Sequence, residues 1–316
     1  MSARIIEVHG INEHGIEPHC KIKLSKAESI GKGQGGEIFA VSCDALPPGE
    51  WVLKELIETS SAERECCGLK ILQRPYVRVK FKYKKKAGKK KAGIIMQRFM
   101  QKRYTQDTKD LQTAVLELER VWKQLELLHK NEKVHSDIHR ENIIQGPSGE
   151  FHVIDFGLLI AAGSFVQFPQ TPVGFGPVVG CGLKPVTPDV DARQLLVNLL
   201  EDIVGRECST EVTTDPEGPT LEILDDFCVK KLNELLGRDA LSCAVKNVFE
   251  LMVATDKLAV HHIGNTRRFP DLDHGDIDEL CQPWDQHLQR LFKLAKPSVM
   301  QTVFKTLRNA LFPGRV

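Results

Sequence analysis

The sequence has almost no excess charge of either sign, because 43 lysines and arginines are balanced by 42 aspartates and glutamates. Its 41% apolar and 27% charged residues exclude a disordered or coiled-coil chain and predict a globular protein. A length of 316 residues predicts one large domain or two lobes with an ordinary core. The net charge gives no indication of nucleic-acid binding.

Long apolar runs are also missing. No run approaches the roughly 18 apolar residues of a membrane span, and "MSARIIEVHG" lacks the apolar core of a signal peptide. The nine cysteines are odd in number and never spaced C-x-x-C, and Cys66 and Cys67 are adjacent, so neither a disulfide framework nor a zinc site is indicated. We therefore expect no transmembrane segment and a reducing, cytoplasmic or nuclear compartment.

The periodicity changes along the chain. Residues 1–24 contain "HGINEHGIEPHC", which matches no common metal motif and predicts a strand or mobile lead-in. From about 25 to 100, short β-branched and aromatic runs are broken by glycines, with one helical segment near "SAERECCGLKILQ". From about 108 onward the period is helical, as in "LQTAVLELERVWKQLELLHK", "LEILDDFCVKKLNELL" and "HLQRLFKLAK". The glycine- and proline-rich stretch 158–188 predicts an irregular loop.

A glycine pattern stands near the start of the β-rich part. In "IGKGQGGEIF", Gly31, Gly33 and Gly36 form GxGxxG, followed two residues later by Ile38. Glycines let a backbone approach phosphate oxygens closely because no Cβ intervenes. No helix signal follows the third glycine, so a strand–turn–strand cover over a nucleotide fits better than a Rossmann turn. Alone, the pattern also arises by chance in glycine-rich turns.

A lysine lies inside a short apolar strand, "WVLKEL". Alternation places Lys54 on the same face as Val52 and Leu56, an apolar side on which the ammonium requires an anion. The following helix offers Glu65 on the face that carries its leucines, and Glu63 is the alternative.

The stretch "VHSDIHRENIIQGPSGEFHVIDFG" places Asp137, Asn142 and Asp155 beside apolar runs, where they gain no partner from their own segment. Its His135-Ser136-Asp137 to Asn142 resembles the HxDxxxxN catalytic loop of the protein kinase superfamily, and Asp155-Phe156-Gly157 resembles that family's DFG triplet. With the glycine pattern and Lys54, the elements follow the family's order over roughly residues 25–260. The form "HSDIHREN" is also similar to the loops of aminoglycoside- and choline-type small-molecule kinases and of divergent bacterial effector kinases.

The resemblance implies a fold and a chemistry. The expected class is α+β, a bilobal protein-kinase-like fold over 25–316, with a small β-rich N-lobe (about 25–100) and a larger α-helical C-lobe (about 101–316). ATP and Mg²⁺ are the implied cofactors, and a protein serine or threonine hydroxyl is the expected acceptor. A small-molecule kinase and a catalytically silent pseudokinase scaffold are the alternatives.

The resemblance also assigns roles to residues. It implies that Lys54 contacts the α- and β-phosphates and is fixed by Glu65, and that Asp137 accepts the substrate proton. Asp155 is implied to bind magnesium, and Asn142 a second magnesium.

Two further segments resemble parts of the family. "GIIMQRFM" resembles the strand and hinge that hold adenine, with Met96 as gatekeeper and Arg98-Phe99 lending backbone groups. "TPDVDARQLLVNLLED" resembles the long central helix of the large lobe, whose early aspartate supports the catalytic loop; Asp191 is the choice and Asp189 the alternative.

The sequence departs from the family at three places. Ser136 replaces an arginine that ligands a phosphate in many regulated kinases, so control through loop phosphorylation is not expected. His139 replaces a lysine; it can still touch the γ-phosphate, with a charge that depends on pH. No APE triplet is clear between 158 and 188, which leaves the acceptor open.

A basic hairpin is predicted over Arg78 to Lys91, "RVKFKYKKKAGKKK", with nine lysines or arginines in fourteen positions. A solvated hairpin end is one interpretation. The other is a dock for an anionic ligand, a nucleic acid or an acidic partner, or a nuclear-import signal.

Overall fold

The chain forms a mixed α/β structure, described from a computed structural model. The described residues are 4–7, 21–24, 29–33, 36–41, 50–56, 59–80, 92–99, 102–103, 110–146, 150–168, 170–205, 208, 210–213, 220–265 and 282–296. Contacts divide the chain into two compact units. The first comprises 1–105 and 123–164, and the second comprises 106–122 and 165–316.

A five-stranded antiparallel sheet dominates the first unit. The chain first forms a separate hairpin of β1 and β2 and then the sheet with one helix, α1; the bounds are β1 Arg4–Glu7, β2 Lys21–Leu24, β3 Ser29–Gly33, β4 Gly36–Val41, β5 Trp51–Leu56, α1 Thr59–Ile71, β6 Tyr76–Lys80 and β7 Ala92–Gln97. The sheet order is β3-β4-β5-β7-β6. Every residue of β5, next to β4 and β7, is buried.

Short strands and turns complete the first unit. They are β8 Lys102–Arg103, β9 Lys133–Val134, β10 Ile143–Gln145, β11 Phe151–Val153 and β12 Ile160–Ala161, with single 3₁₀ turns at Arg140–Asn142 and Phe156–Leu158. β10 pairs with both β8 and β11, and β9 pairs with β12. The hairpin of β10 and β11 therefore places one 3₁₀ turn before its first strand and the other shortly after its second.

Helices dominate the second unit. The long helix α2 (Leu111–His129) contributes residues to both units, and the remaining bounds are β13 Gln170–Thr171, α3 Pro177–Gly180, α4 Pro188–Val204, β14 Thr210–Thr213, β15 Thr220–Ile223, α5 Asp226–Leu235, α6 Ala240–Asn265 and α7 Trp284–Ala295. β15 pairs with β13 and β14. Helix α4 begins with Pro188 at its first position and ends at Val204, where Gly205 caps it with a left-handed φ of 80°. Its residues 190–200 are all buried, so α4 lies in the core of this unit.

Several expectations are met at this level. Of the expected α+β class, the combination of helices and strands is confirmed. A helix occupies most of "SAERECCGLKILQ", and helices occupy the other periodic segments. Residues 220–223 are the exception, because they form β15 rather than the start of a helix. The stretch 158–188 contains β12, β13 and the single-turn helix α3 rather than an uninterrupted loop. Among the described helices, none is long and apolar enough to cross a membrane.

Two findings differ from the sequence-based picture. Cys208 and Cys228 form a disulfide with their Cα atoms 5.9 Å apart, although their separation of 20 residues gave no local signal. The contact units divide after residue 105, but residues 123–164 of the expected C-lobe group with residues 1–105. The cluster His9 to Cys20 and residues 81–91 of the basic hairpin lie outside the described residues.

Candidate active site

Lys54 on β5 is the centre of the candidate site. Its Nζ donates to Glu65 Oε2 at 2.9 Å and to Asp155 Oδ1 at 2.7 Å. Glu65 comes from α1, and Asp155 follows β11. Lys54 and Glu65 are 6% and 1% exposed, whereas the side chain of Asp155 is 43% exposed. The lysine therefore joins one fully buried carboxylate to one that solvent reaches.

Glu65 rather than Glu63 is the partner of Lys54. Glu63, two residues earlier on α1, is exposed and lies 3.2 Å from the guanidinium of Arg78. The helical period explains the difference, because the face of α1 toward the sheet carries Glu65 and Leu69, four residues apart.

The three charged side chains shift one another's pKa values. Burial alone would lower the pKa of Lys54, but Glu65 and Asp155 together raise it above its ordinary value. Burial would raise the pKa of Asp155, yet Lys54 and the N–H of Gly157 lower it. Burial raises the pKa of Glu65, and the ion pair with Lys54 opposes that rise. Lys54 is thus held as a cation, and Asp155 as an anion, at neutral pH.

The turn that carries Asp155 is strained and packs directly on α1. Asp155 has a left-handed φ of 60°, and its carboxylate accepts from the N–H of Gly157 at 3.2 Å. Phe156 is fully buried. A Cβ at Gly68 of α1 would lie 2.2 Å from Cγ of Phe156, so only glycine permits this approach. Arg64 of α1 also donates to the carbonyl oxygen of Gly157 at 2.5 Å.

The loop around Asp137 is organised by His135 and Asn142. Nδ1 of His135 accepts from the N–H of Asp137 at 3.3 Å, and Nε2 lies 3.1 Å from the carbonyl oxygen of Ile154. These contacts fit the tautomer with the proton on Nε2. Nδ2 of Asn142 donates to the carbonyl oxygen of Asp137 at 2.8 Å and to its carboxylate at 3.1 Å. The backbone N–H of Ile154 donates to the carbonyl oxygen of Asn142 at 2.9 Å, which ties this loop to the segment before Asp155.

His139 lies beside Asp137. Its Nε2 is 3.8 Å from Asp137 Oδ2 and 2.9 Å from Nδ2 of Asn142. The nearby carboxylate of Asp137 raises the pKa of His139, against a smaller effect of burial. The imidazole is therefore closer to carrying a positive charge than a free histidine.

The residues expected around a nucleotide lie on the five-stranded sheet. Gly31 on β3 lies opposite Ile38 on β4. On the other side of β4, Gly36 lies opposite Leu56 and Ile38 lies opposite Lys54, both on β5. A Cβ at Gly36 would lie 1.8 Å from the carbonyl oxygen of Glu55, so the backbone there requires glycine. Gly33 ends β3, opposite Gly36.

The expected hinge follows β7. Met96 is half-buried near the end of that strand. Phe99 stacks on His152 of β11, with ring centroids 4.1 Å apart. The N–H of Arg98 donates to the carbonyl oxygen of Glu50 at 2.8 Å, so this backbone donor already has a partner.

Arg74 and Gln124 hydrogen-bond the backbone of β11, the strand before Asp155, and sequence reasoning did not predict either residue. Arg74, between α1 and β6, donates to the carbonyl oxygen of Val153 and, at 2.7 Å, to Oε1 of Gln124. Gln124 of α2 donates to the carbonyl oxygen of Phe151 and accepts from the N–H of Val153 at 3.2 Å. Burial lowers the pKa of Arg74 to about 10, which still leaves it charged at neutral pH. No motif marks these residues, since each acts through contacts distant in sequence.

The guanidinium of Arg74 also contacts two rings of the site. It lies 5.3 Å from the ring centroid of Phe99 and 5.9 Å from that of Phe156. Arg74 thus connects the expected hinge with the turn that carries Asp155.

Asp189 and Asp191 belong to the second unit. Asp191 is fully buried in α4. Asp189 accepts from the N–H of Asp285 at 3.0 Å, and burial together with Asp285 raises its pKa to about 6. The predicted support of the catalytic loop by Asp191 stays a prediction.

The donor set fits magnesium in part. Among the described residues, no group of three or more His, Cys, Asp or Glu side chains could hold a metal. Asp155 offers a partly exposed carboxylate, and Oδ1 of Asn142 has no partner within the described chain. One carboxylate and one amide oxygen suit a cation that keeps waters and takes further ligands from substrate phosphates.

Comparison with known proteins adds no relative. No family model matches the chain, and no curated protein matches it.

Proposed function

We propose that the chain is an ATP- and magnesium-dependent phosphotransferase that transfers the γ-phosphate of ATP to a serine or threonine hydroxyl of a protein. The observation that carries the proposal is Lys54, whose ammonium is held between Glu65 at 2.9 Å and Asp155 at 2.7 Å. A buried, fully charged lysine beside a partly exposed carboxylate supports binding of phosphate oxygens and a cation at one place.

Each residue has a task under this proposal. Lys54 binds phosphate oxygens and is oriented by Glu65, while Asp155 and Asn142 would hold magnesium. Bound magnesium supplies positive charge that offsets the charge of the phosphates. Asp137 accepts the proton of the acceptor hydroxyl, and the amide of Asn142 orients its carboxylate at 3.1 Å.

The acceptor class rests on the sequence resemblance. A small-molecule hydroxyl is the competing acceptor, because "HSDIHREN" resembles small-molecule kinases and residues 158–188 lack an APE triplet. Both acceptors use the same group on the enzyme, Asp137, so one experiment separates them.

The test measures magnesium-dependent transfer of labelled γ-phosphate to a generic protein and to a panel of small hydroxyl compounds. The proteins are the wild type, Asp137→Ala and the control Asp226→Ala, whose side chain is exposed on α5. Asp137→Ala should bind ATP normally but lower turnover by on the order of 100-fold or more, the scale of a lost general base. Asp226→Ala should behave as the wild type.

The location of the label decides the proposal. Label on protein serine or threonine, only with intact Asp137, supports a protein kinase, and label on a small compound assigns the small-molecule class instead. Tight MgATP binding without transfer under any condition would identify a scaffold and refute catalysis.

A further inference from the structure

A cavity of about 320 Å³ lies within the second unit. Four elements form its walls: residues 175–179 at α3, the first turns of α4, residues 255–259 of α6, and Trp284 at the start of α7. Of its lining residues, only Asp189 was considered for the candidate active site, as the alternative to Asp191. By the roughly 30 Å³ that a water molecule occupies in the liquid, the space equals about ten waters. It is therefore large enough for a small organic molecule.

A buried ion pair forms one polar part of this lining. Nη2 of Arg193 donates to both carboxylate oxygens of Asp256 at 2.8 Å, and the two residues are 3% and 2% exposed. Nε of Arg193 donates to the carbonyl oxygen of Val173 at 3.2 Å. The guanidinium also lies 5.3 Å from the ring centroid of Trp284, which fixes its plane.

The guanidinium keeps one unused nitrogen. Within the described part of the chain, Nη1 of Arg193 has no hydrogen-bond acceptor. Hydrogen bonds donated by a charged guanidinium are stronger than those of neutral donors. An oxygen atom of a bound molecule would accept such a bond.

The other lining side chains restrict the occupant. Most of them are apolar, among them Phe175, Val178, Val179, Pro185 and Ala259. The formal charges of the lining cancel, because Lys184 and Arg193 face two aspartates, Asp189 and Asp256. The cavity therefore imposes no net charge on a ligand, but it favours an apolar body with few polar atoms.

We propose that this cavity binds a small, mainly apolar molecule with one carbonyl or carboxylate oxygen, which accepts from Nη1 of Arg193. The body of the ligand lies against Trp284 and Phe175. The proposal stands independently of the phosphotransferase proposal, because it uses no residue of that site.

The probes are four molecules with the same phenylpropyl body: 3-phenylpropanoic acid, its primary amide, propylbenzene and 3-phenylpropylamine. Titration calorimetry and saturation-transfer NMR measure their binding to the full chain. The acid, the amide or both should bind on the order of tenfold more tightly than propylbenzene and the amine, the scale of one hydrogen bond to a charged donor. Tighter binding of the acid than of the amide identifies a carboxylate ligand, and equal binding of the two identifies a carbonyl ligand.

Two variants and one control variant locate the binding. Val179→Phe fills the cavity from a half-buried lining position and should abolish binding of all probes. Val229→Phe is the matched control, because Val229 is also half-buried in the second unit but does not line the cavity. Arg193→Lys keeps the positive charge but removes the planar fork, so it should reduce acid and amide binding to the level of propylbenzene. Circular dichroism checks that each variant is folded.

The proposal is overturned if neither the acid nor the amide binds at about 1 mM, a concentration that detects weak ligands. It is also overturned if propylbenzene binds as tightly as the oxygen-bearing probes, or if folded Val179→Phe binds like the control.

Discussion

Replacing Gly68 with alanine should destabilise the first unit, although alanine is the better helix former. In an unobstructed helix the change would stabilise by roughly 0.8–1 kcal/mol. Here the new Cβ would lie 2.2, 2.5 and 2.7 Å from three atoms of Phe156, whose side chain is fully buried. Overpacking of this kind costs about 1–3 kcal/mol. The free energy of unfolding should therefore fall by about 1 kcal/mol, the overpacking cost less the helix gain.

Urea unfolding of wild type, Gly68→Ala, Phe156→Leu and the double variant measures this change. The double variant should lose less stability than the two single changes added together, because leucine gives back the space that the new methyl group takes. Gly68→Ala should also slow phosphate transfer, since it displaces the turn that carries Asp155. A gain of about 1 kcal/mol in Gly68→Ala, as at an open helix site, would show that α1 does not pack on Phe156 as described.

Three further predictions concern the same unit. Arg74→Met should lower the free energy of unfolding by about 2 kcal/mol, because buried acceptors lose a charged donor, and should weaken MgATP binding; unchanged denaturation and unchanged ATP titration would contradict this. The raised pKa of Lys54 contributes stability that is complete below its ordinary value of 10.5 and is lost as pH rises above it. Above pH 10.5, the free energy of unfolding should therefore fall more steeply with rising pH for wild type than for Lys54→Met, and parallel curves would refute the shift. The lowered pKa of Asp155 contributes stability that is present above its ordinary value of 3.8 and is lost as pH falls below it. In Asp155→Asn, the free energy of unfolding should therefore fall less steeply below pH 3.8 than in the wild type, and equal slopes would contradict this.

The parts of the site that sequence reasoning could predict are those with a local signal. Alternation along "WVLKEL" placed Lys54 on a buried strand, and the helical period selected Glu65 over Glu63. The loop spacing brought Asp137 and Asn142 within hydrogen-bond distance, because only four residues separate them. In each case the deciding geometry lies within one element or one short loop.

What could not be predicted depends on contacts between distant segments. Arg74 meets Val153 across 79 residues, and Cys208 meets Cys228 across 20, and neither spacing is a motif. The mid-helix glycine in "ECCGLK" could have indicated a close approach, but not that Phe156 is the neighbour. The segment 221–224, "LEIL", is too short for its period to separate strand from helix, and its pairing with β13 and β14 decided the outcome.

Ser136 contacts the segment after Asp155, which Arg64 also contacts at the carbonyl oxygen of Gly157. Its hydroxyl donates to the carbonyl oxygen of Leu158 at 2.5 Å. Ser136 is buried, and its backbone is left-handed with a φ of 64°. The β9–β12 ladder and the hydrogen bond from the N–H of Ala162 to the carbonyl oxygen of Glu132, at 2.9 Å, hold the same segment four residues further on. The contacts made by Ser136, β12 and Ala162 involve neither a phosphate nor a positive side chain. Because Lys54 already contacts both carboxylates in this arrangement, the proposed transfer does not require a phosphorylated loop to assemble the site.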